Sequence, residues 1–218
     1  MNVLLLPEST LVEKVIHKNM FDLYCNTKEK KLFSEYILKM IWLHKLSKDT
    51  IHLEGKTIQE IQTIQIELKK KDRIDKILNI IDKTMPYALI FLVHYHHEFY
   101  ISTSVKHLNE KNENSSIIDW TFHTDWMSTT EKTYPISLHS NLDLVYHNFC
   151  NQLNGIESWK KYSLEEMVNL SREVFTLEKD ISILKKKIGA CKQFNQKVEL
   201  NIELREKTAM IERLKQAG

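Results

Sequence analysis

The chain has 218 residues, 42% hydrophobic and 28% charged, with a formal net charge of +2. This is an ordinary globular balance, enough for one domain and an appendage, and it excludes a global basic field announcing nucleic acid. With only 4 Gly and 3 Pro, hard breaks are few and regular structure should dominate.

The elements follow in chain order. Residues 8–26 read as a helix, with Leu11, Val15, Ile16 and Met20 at three- and four-residue spacing. A second helix is expected over about Lys28 to Lys45, with Phe33, Ile37, Met40, Ile41 and His44 on one face. Thr50 to Leu53 reads as a short strand. Thr57 to Lys69 is a clearer strand, because Ile64, Ile66 and Leu68 alternate with Gln65, Glu67 and Lys69. Residues 72–84 return to helical spacing, and Pro86 ends that helix. The apolar run Tyr87 to Val93 fits a central strand. Phe99 to Val105 alternate along the next strand, joined by a tight turn over Tyr95 to Glu98. Residues 109–116 read as an exposed loop, Ile118 to Phe122 as a strand, and Ser140 to Leu153 as a helix. The class expected is α+β, with a mixed, mostly antiparallel sheet flanked by helices over residues 1–155.

A C-terminal coiled coil or helical hairpin is expected over residues 160–218. Ser163 with Glu166 three residues later is a capping box. Leu170, Val174, Leu177, Ile181, Leu184, Ile188 and Cys191 then alternate four- and three-residue steps, an oligomerisation seam in form. The seam fails after Cys191, and a new one uses Val198, Leu200, Leu204, Ile211 and Leu214. Two arms of similar length favour a chain that turns near Lys192 to Gln196 over one rod with a shifted seam.

Chemistry has few places to sit. Glu67 and Lys69 share a strand face, and a carboxylate beside a lysine can hold Mg²⁺ and orient water in a metal-dependent nuclease. The order helix, two strands, helix, strand suits a PD-(D/E)XK core, for which Glu60 or Glu54 would have to supply the second acid. Cross-strand ion pairing explains the same residues without catalysis. Without that nuclease activity, no cofactor is expected. His94, His96, His97 and Glu98 read as surface residues of a turn, and Trp126, near His123 and Asp125, as a loop anchor. The 4 glycines leave no phosphate loop.

Basic runs at Lys69, Lys70, Lys71 and at Lys185, Lys186, Lys187 could track phosphates, although solvated faces account for most such runs. The three cysteines, Cys25, Cys150 and Cys191, show neither metal nor disulfide spacing. No apolar stretch approaches the roughly 18 residues of a membrane span, so a soluble, cytoplasmic protein is expected.

The segments Ile41 to Ser47, Thr50 to Leu53, Ile61 to Lys69, Ile81 to Tyr87 and Lys192 to Asn201 together resemble an uncharacterised bacterial domain-of-unknown-function family. The resemblance covers nearly the full chain. It implies genes beside superfamily-2 helicases and DNA methyltransferases in restriction-like or phage-defence clusters. The role this implies is an accessory or adaptor subunit, with a helicase or methyltransferase as partner. DNA and a second copy of the chain are the other candidate partners. A metal-dependent nuclease and a purely structural oligomer are the alternatives.

Overall fold

The computed structural model describes residues 3–110, 112–128 and 133–216, with the backbone alone at 112–114. The chain divides into two compact units at Asn154/Gly155.

The first unit is built on one sheet. Its strands are β1 (Leu11–Val15), β2 (Ile37–Ser47), β3 (Glu60–Leu68), β4 (Ala88–Tyr95), β5 (Glu98–Asn109) and β6 (Asn112–His123), in that spatial order. A short β7 (Met127–Ser128) pairs with β5. Among the described residues only β3 and β4 pair in parallel, and α3 (Asp75–Thr84) connects them, as a parallel pair requires. The sheet is therefore mixed and mostly antiparallel, as expected. The remaining helices of this unit are α1 (Thr27–Tyr36), the single turn α2 (Lys48–Ile51) and α4 (Leu142–Asn154).

One sheet face carries the main core. Ile64, Ile66 and Leu68 of β3 and Leu89, Phe91 and Val93 of β4 pack with Phe33 of α1 and Ile77, Leu78 and Ile81 of α3. Alternation places Gln65, Glu67, Leu92 and His94 on the opposite face.

Several elements differ from the reading of the sequence. Residues 8–26 are not one helix. They form a 3-10 turn at Glu8–Thr10, edge strand β1, and a 3-10 segment at Lys18–Tyr24. The second helix stops at Tyr36, and Ile37 to Ser47 is the long strand β2. The cause is visible in the register. Irregularities between Ile37/Lys39 and Trp42/His44 break the alternation. Buried positions then fall at Ile37, Met40 and His44, which mimics helical spacing. Thr50 to Leu53 is no strand either. Lys48–Ile51 makes a helical turn, which His52 ends at φ +56°. Pairing of β5 and β6, with a register shift between Leu108 and Asn109, also reaches into residues 109–116, read above as a loop, and residue 111 lies outside the described residues. The expected turn after β4 is present. His96 adopts the φ of +52° that a two-residue hairpin asks of its first central residue, without glycine.

The second unit is a helical hairpin, α5 (Leu164–Ala190) and α6 (Phe194–Gln216), with the turn at 191–193. The Ser163/Glu166 capping box is formed. At about 1.5 Å per residue the arms run about 40 and 35 Å. Val174, Leu177 and Leu184 are buried, while Leu170, Ile181 and Ile188 are half-buried. On α6 the inward positions are Leu200, Leu204, Lys207, Ile211 and Leu214, and Val198 lies outside them. Lys207 meets Asp180 at 2.9 Å, a polar pair that favours one register of the two arms. The 3-10 segment Glu157–Lys161 closes the base. Trp159 Nε1 donates to the Leu214 carbonyl at 2.8 Å and Ser158 Oγ to that of Lys215 at 2.5 Å, satisfying orphan acceptors at the end of α6.

Candidate functional site

Glu67 lies near the C-terminal end of β3. Its register partners are Lys39 on β2 and His94 on parallel β4. These three side chains share the face opposite the main core. Among the described residues, no hydrogen bond or ion pair engages Glu67 or Lys39. His94 stacks on Phe99 with centroids 5.7 Å apart, and burial holds its imidazole down to about 4. The imidazole is therefore neutral at pH 7.

The other expected catalytic residues are not gathered here. Lys69 reaches the carbonyl of Ser34 at 2.6 Å, bracing the end of α1. Glu60 pairs with Lys45 at 3.0 Å and accepts from Gln62 Nε2 at 2.5 Å. It stands seven residues before Glu67, about 23 Å along an extended strand. Glu54 pairs with Lys48. The neighbours of Glu67 across both strands are thus a lysine and a histidine, not a second carboxylate. Among the described residues, no three His, Cys, Asp or Glu side chains group to hold a metal ion.

Beside this row the same face opens into a groove of about 580 Å³. Leu4, Leu6, Val15 and Leu92 contribute apolar wall, and Lys39 and Gln65 are among its polar residues. Glu13 also lines it, at φ +53° in the irregular part of β1 between Leu11 and Lys14. The bulge turns Glu13 toward His44. His44 Nδ1 lies 2.8 Å from Thr10 Oγ1, and burial pulls its imidazole down against the pull of Glu13 upward. Sequence reasoning missed this groove because β1 and β2, which build it, read as helices.

The two lysine runs differ in kind. Lys70 meets Glu35 at 2.5 Å and lies 4.0 Å over the Tyr36 ring. Lys71 bonds both oxygens of Glu98 at 2.7 Å and sits 5.4 Å over Trp126. Trp126 in turn packs edge-on against Tyr100 at 4.8 Å, which makes it the expected loop anchor. Lys69, Lys70 and Lys71 thus tie the end of β3 to its surroundings. Lys185, Lys186 and Lys187 are exposed on α5, and no ion pair engages them among the described residues.

The turn end of the hairpin concentrates this free charge. Between Ile181 and Ile202 the chain carries five lysines and one glutamate. Phe194, Val198 and Ile202 form an apolar stripe at four-residue steps on α6, 78%, 42% and 52% exposed. The expected oligomerisation seam, from Leu170 to Ile188, faces the second arm of the same chain. A partner would meet the outer faces unless the hairpin opened.

The fold is a mixed α+β sheet domain followed by a helical hairpin, and both parts fall within one family match. The chain belongs to the DUF4391 family, a domain of unknown function, whose model matches residues 4–211. No curated protein and no solved structure matches the chain. Among the described residues, no helix is long and apolar enough to cross a membrane.

Proposed function

We propose that this protein is an accessory subunit of a bacterial nucleic-acid-processing assembly, held to its partner by the outer surface of its C-terminal hairpin. One observation carries the reading. The hairpin closes its own seam and still presents an apolar stripe beside unpaired lysines. A helix pair needed only for its own stability would be polar on its outer faces. The resemblance of the sequence to a family encoded near helicases and methyltransferases supplies the expected partner class and the link to restriction or phage defence.

The test is recovery of the tagged full chain from its native host after nuclease treatment. A stoichiometric helicase, methyltransferase or other nucleic-acid enzyme is the expected companion. Recovery of the chain alone, or only with copies of itself, contradicts the proposal.

A second reading, a metal-dependent nuclease centred on Glu67, draws on topology. An antiparallel pair, β2 and β3, followed by α3 and the parallel β4, is the strand order of a PD-(D/E)XK core. Lys39 in place of an acid opposite Glu67 weighs against it. Cleavage of DNA or RNA by the purified full chain with Mg²⁺, lost on Glu67→Ala, would favour this reading over the first.

A further inference from the structure

We propose that the turn end of the hairpin, Ile181 to Ile202, is the docking surface for an acidic amphipathic helix of a partner protein. This rests on the accessory-subunit reading and names the chemistry of the partner at that same surface.

Three features select this occupant. First, Phe194, Val198 and Ile202 recur every four residues over about two and a half turns of α6, and all three are exposed. Anchors at this spacing are how one helix reads another across a groove. Second, Lys185, Lys186, Lys187, Lys192 and Lys197 accompany the stripe, with Glu199 as the one acid in the segment. None of the five makes an ion pair among the described residues. Lys185 to Lys187 lie within about 10 Å of the turn along the helix axis. Third, two ion pairs join the arms outside this segment. Asp180 pairs with Lys207 at 2.9 Å, and Glu178 with Lys215 at 3.4 Å. The turn-end lysines have no such counter-charge among the described residues, and five lysines against one glutamate leave this segment strongly positive. Complementary charge at an interface rim steers encounter and excludes wrong partners.

Other occupants fit less well. A second copy docked turn to turn would set five lysines against five lysines. Nucleic acid would use the lysines and could stack a base on Phe194, but it gives Val198 and Ile202 no role, because stacking calls for aromatic side chains. An acidic helix with apolar residues every three or four positions uses both the stripe and the charge.

The experiment uses the tagged full chain in its native host with a zero-length carbodiimide, which joins lysine amines to carboxylates in direct contact. The cross-linked peptides are then sequenced by mass spectrometry. Links from Lys185 to Lys197 should converge on one partner segment rich in Asp and Glu, with apolar residues at three- and four-residue spacing. Phe194→Asp, at the first residue of α6 and outside the seam, should reduce those links at least tenfold with far-UV circular dichroism unchanged. Val198→Asp provides the same reading at a second position. Links found only within this chain or between its copies would overturn the proposal. So would ultraviolet cross-linking of the same lysines to nucleic acid in place of protein. A nucleic-acid enzyme that still co-purifies undiminished with both variants defeats this docking surface while leaving the accessory role standing. Absence of any such enzyme defeats the accessory role itself.

Discussion

The buried ion pair behind the sheet gives the sharpest test of how the domain holds together. Lys106 of β5 meets Asp82 of α3 at 2.6 Å, with side chains only 5% and 1% exposed. The same ammonium donates to the carbonyls of Asp82 at 2.6 Å and Met85 at 2.7 Å, so it also caps the C-terminal end of α3. Asp82 Oδ2 accepts no hydrogen bond. Lys106→Met leaves a buried carboxylate without its counter-charge, a change that destabilises by about 3–5 kcal/mol. For a domain of this size that corresponds to a fall of about 6–20 °C in Tm. Hydrogen exchange of the slowest amides in α3 and β5 measures the loss directly. The deficit should depend on pH. Burial pushes the Asp82 carboxyl up and Lys106 opposes that shift, while burial pulls the Lys106 ammonium down and Asp82 opposes it. A carboxyl with a raised folded-state pKa contributes stability below its unfolded value, near about 4, and loses it as pH rises through the folded value. Removing Lys106 raises the carboxyl further, so the deficit should be largest at pH 8 and shrink toward pH 5. Asp82→Leu combined with Lys106→Met should recover most of the loss, because well-packed apolar pairs often replace buried ion pairs without penalty. An equal deficit at both pH values, or a double variant as unstable as Lys106→Met alone, would refute this account.

Other consequences are equally open to measurement. Asp143 at the start of α4 accepts from the backbone N–H groups of Lys56, Thr57 and Ile58. Burial opposes its ionisation, yet those three bonds outweigh it and hold the carboxyl below the usual range. Stability from such a group is present above the unfolded value and is lost as pH falls through the folded one. Exchange of the amides at 56–58 should therefore rise selectively at low pH and, on Asp143→Ala, at all pH. In the same loop a Cβ on Gly55 would meet the Ile58 carbonyl at 2.0 Å, so Gly55→Ala should disrupt the loop and release those amides too. Trp159→Phe leaves the Leu214 carbonyl without its donor and should lower hairpin stability by about 1–3 kcal/mol, seen first as faster exchange in the last turn of α6. Replacing Lys185, Lys186 and Lys187 together by Glu should leave the melting curve within about 0.5 kcal/mol per site of the parent, because all three lie outside the seam.

Much of the architecture is legible where one physical signal dominates. The strict alternation of Ile64, Ile66 and Leu68 marks β3, the apolar run before Tyr95 marks β4, and the capping box at Ser163 opens α5 at the residue the pattern names. The two arms of the hairpin also follow from the sequence, since the seam breaks after Cys191. These features arise from local periodicity and capping, which depend on near neighbours alone.

The first fifty residues required the tertiary structure. Irregular pairing spaces the buried residues of β2 like those of a helix, and only its pairing with β1 and β3 makes it a strand. The groove on that sheet, the row of Lys39, Glu67 and His94, and the dispersal of Glu60 and Lys69 to other partners depend on which strands lie side by side. Cross-strand register joins residues far apart in the chain. No spacing along the sequence encodes whether Lys39 or an acid will stand opposite Glu67, and that choice bears directly on what the site can do.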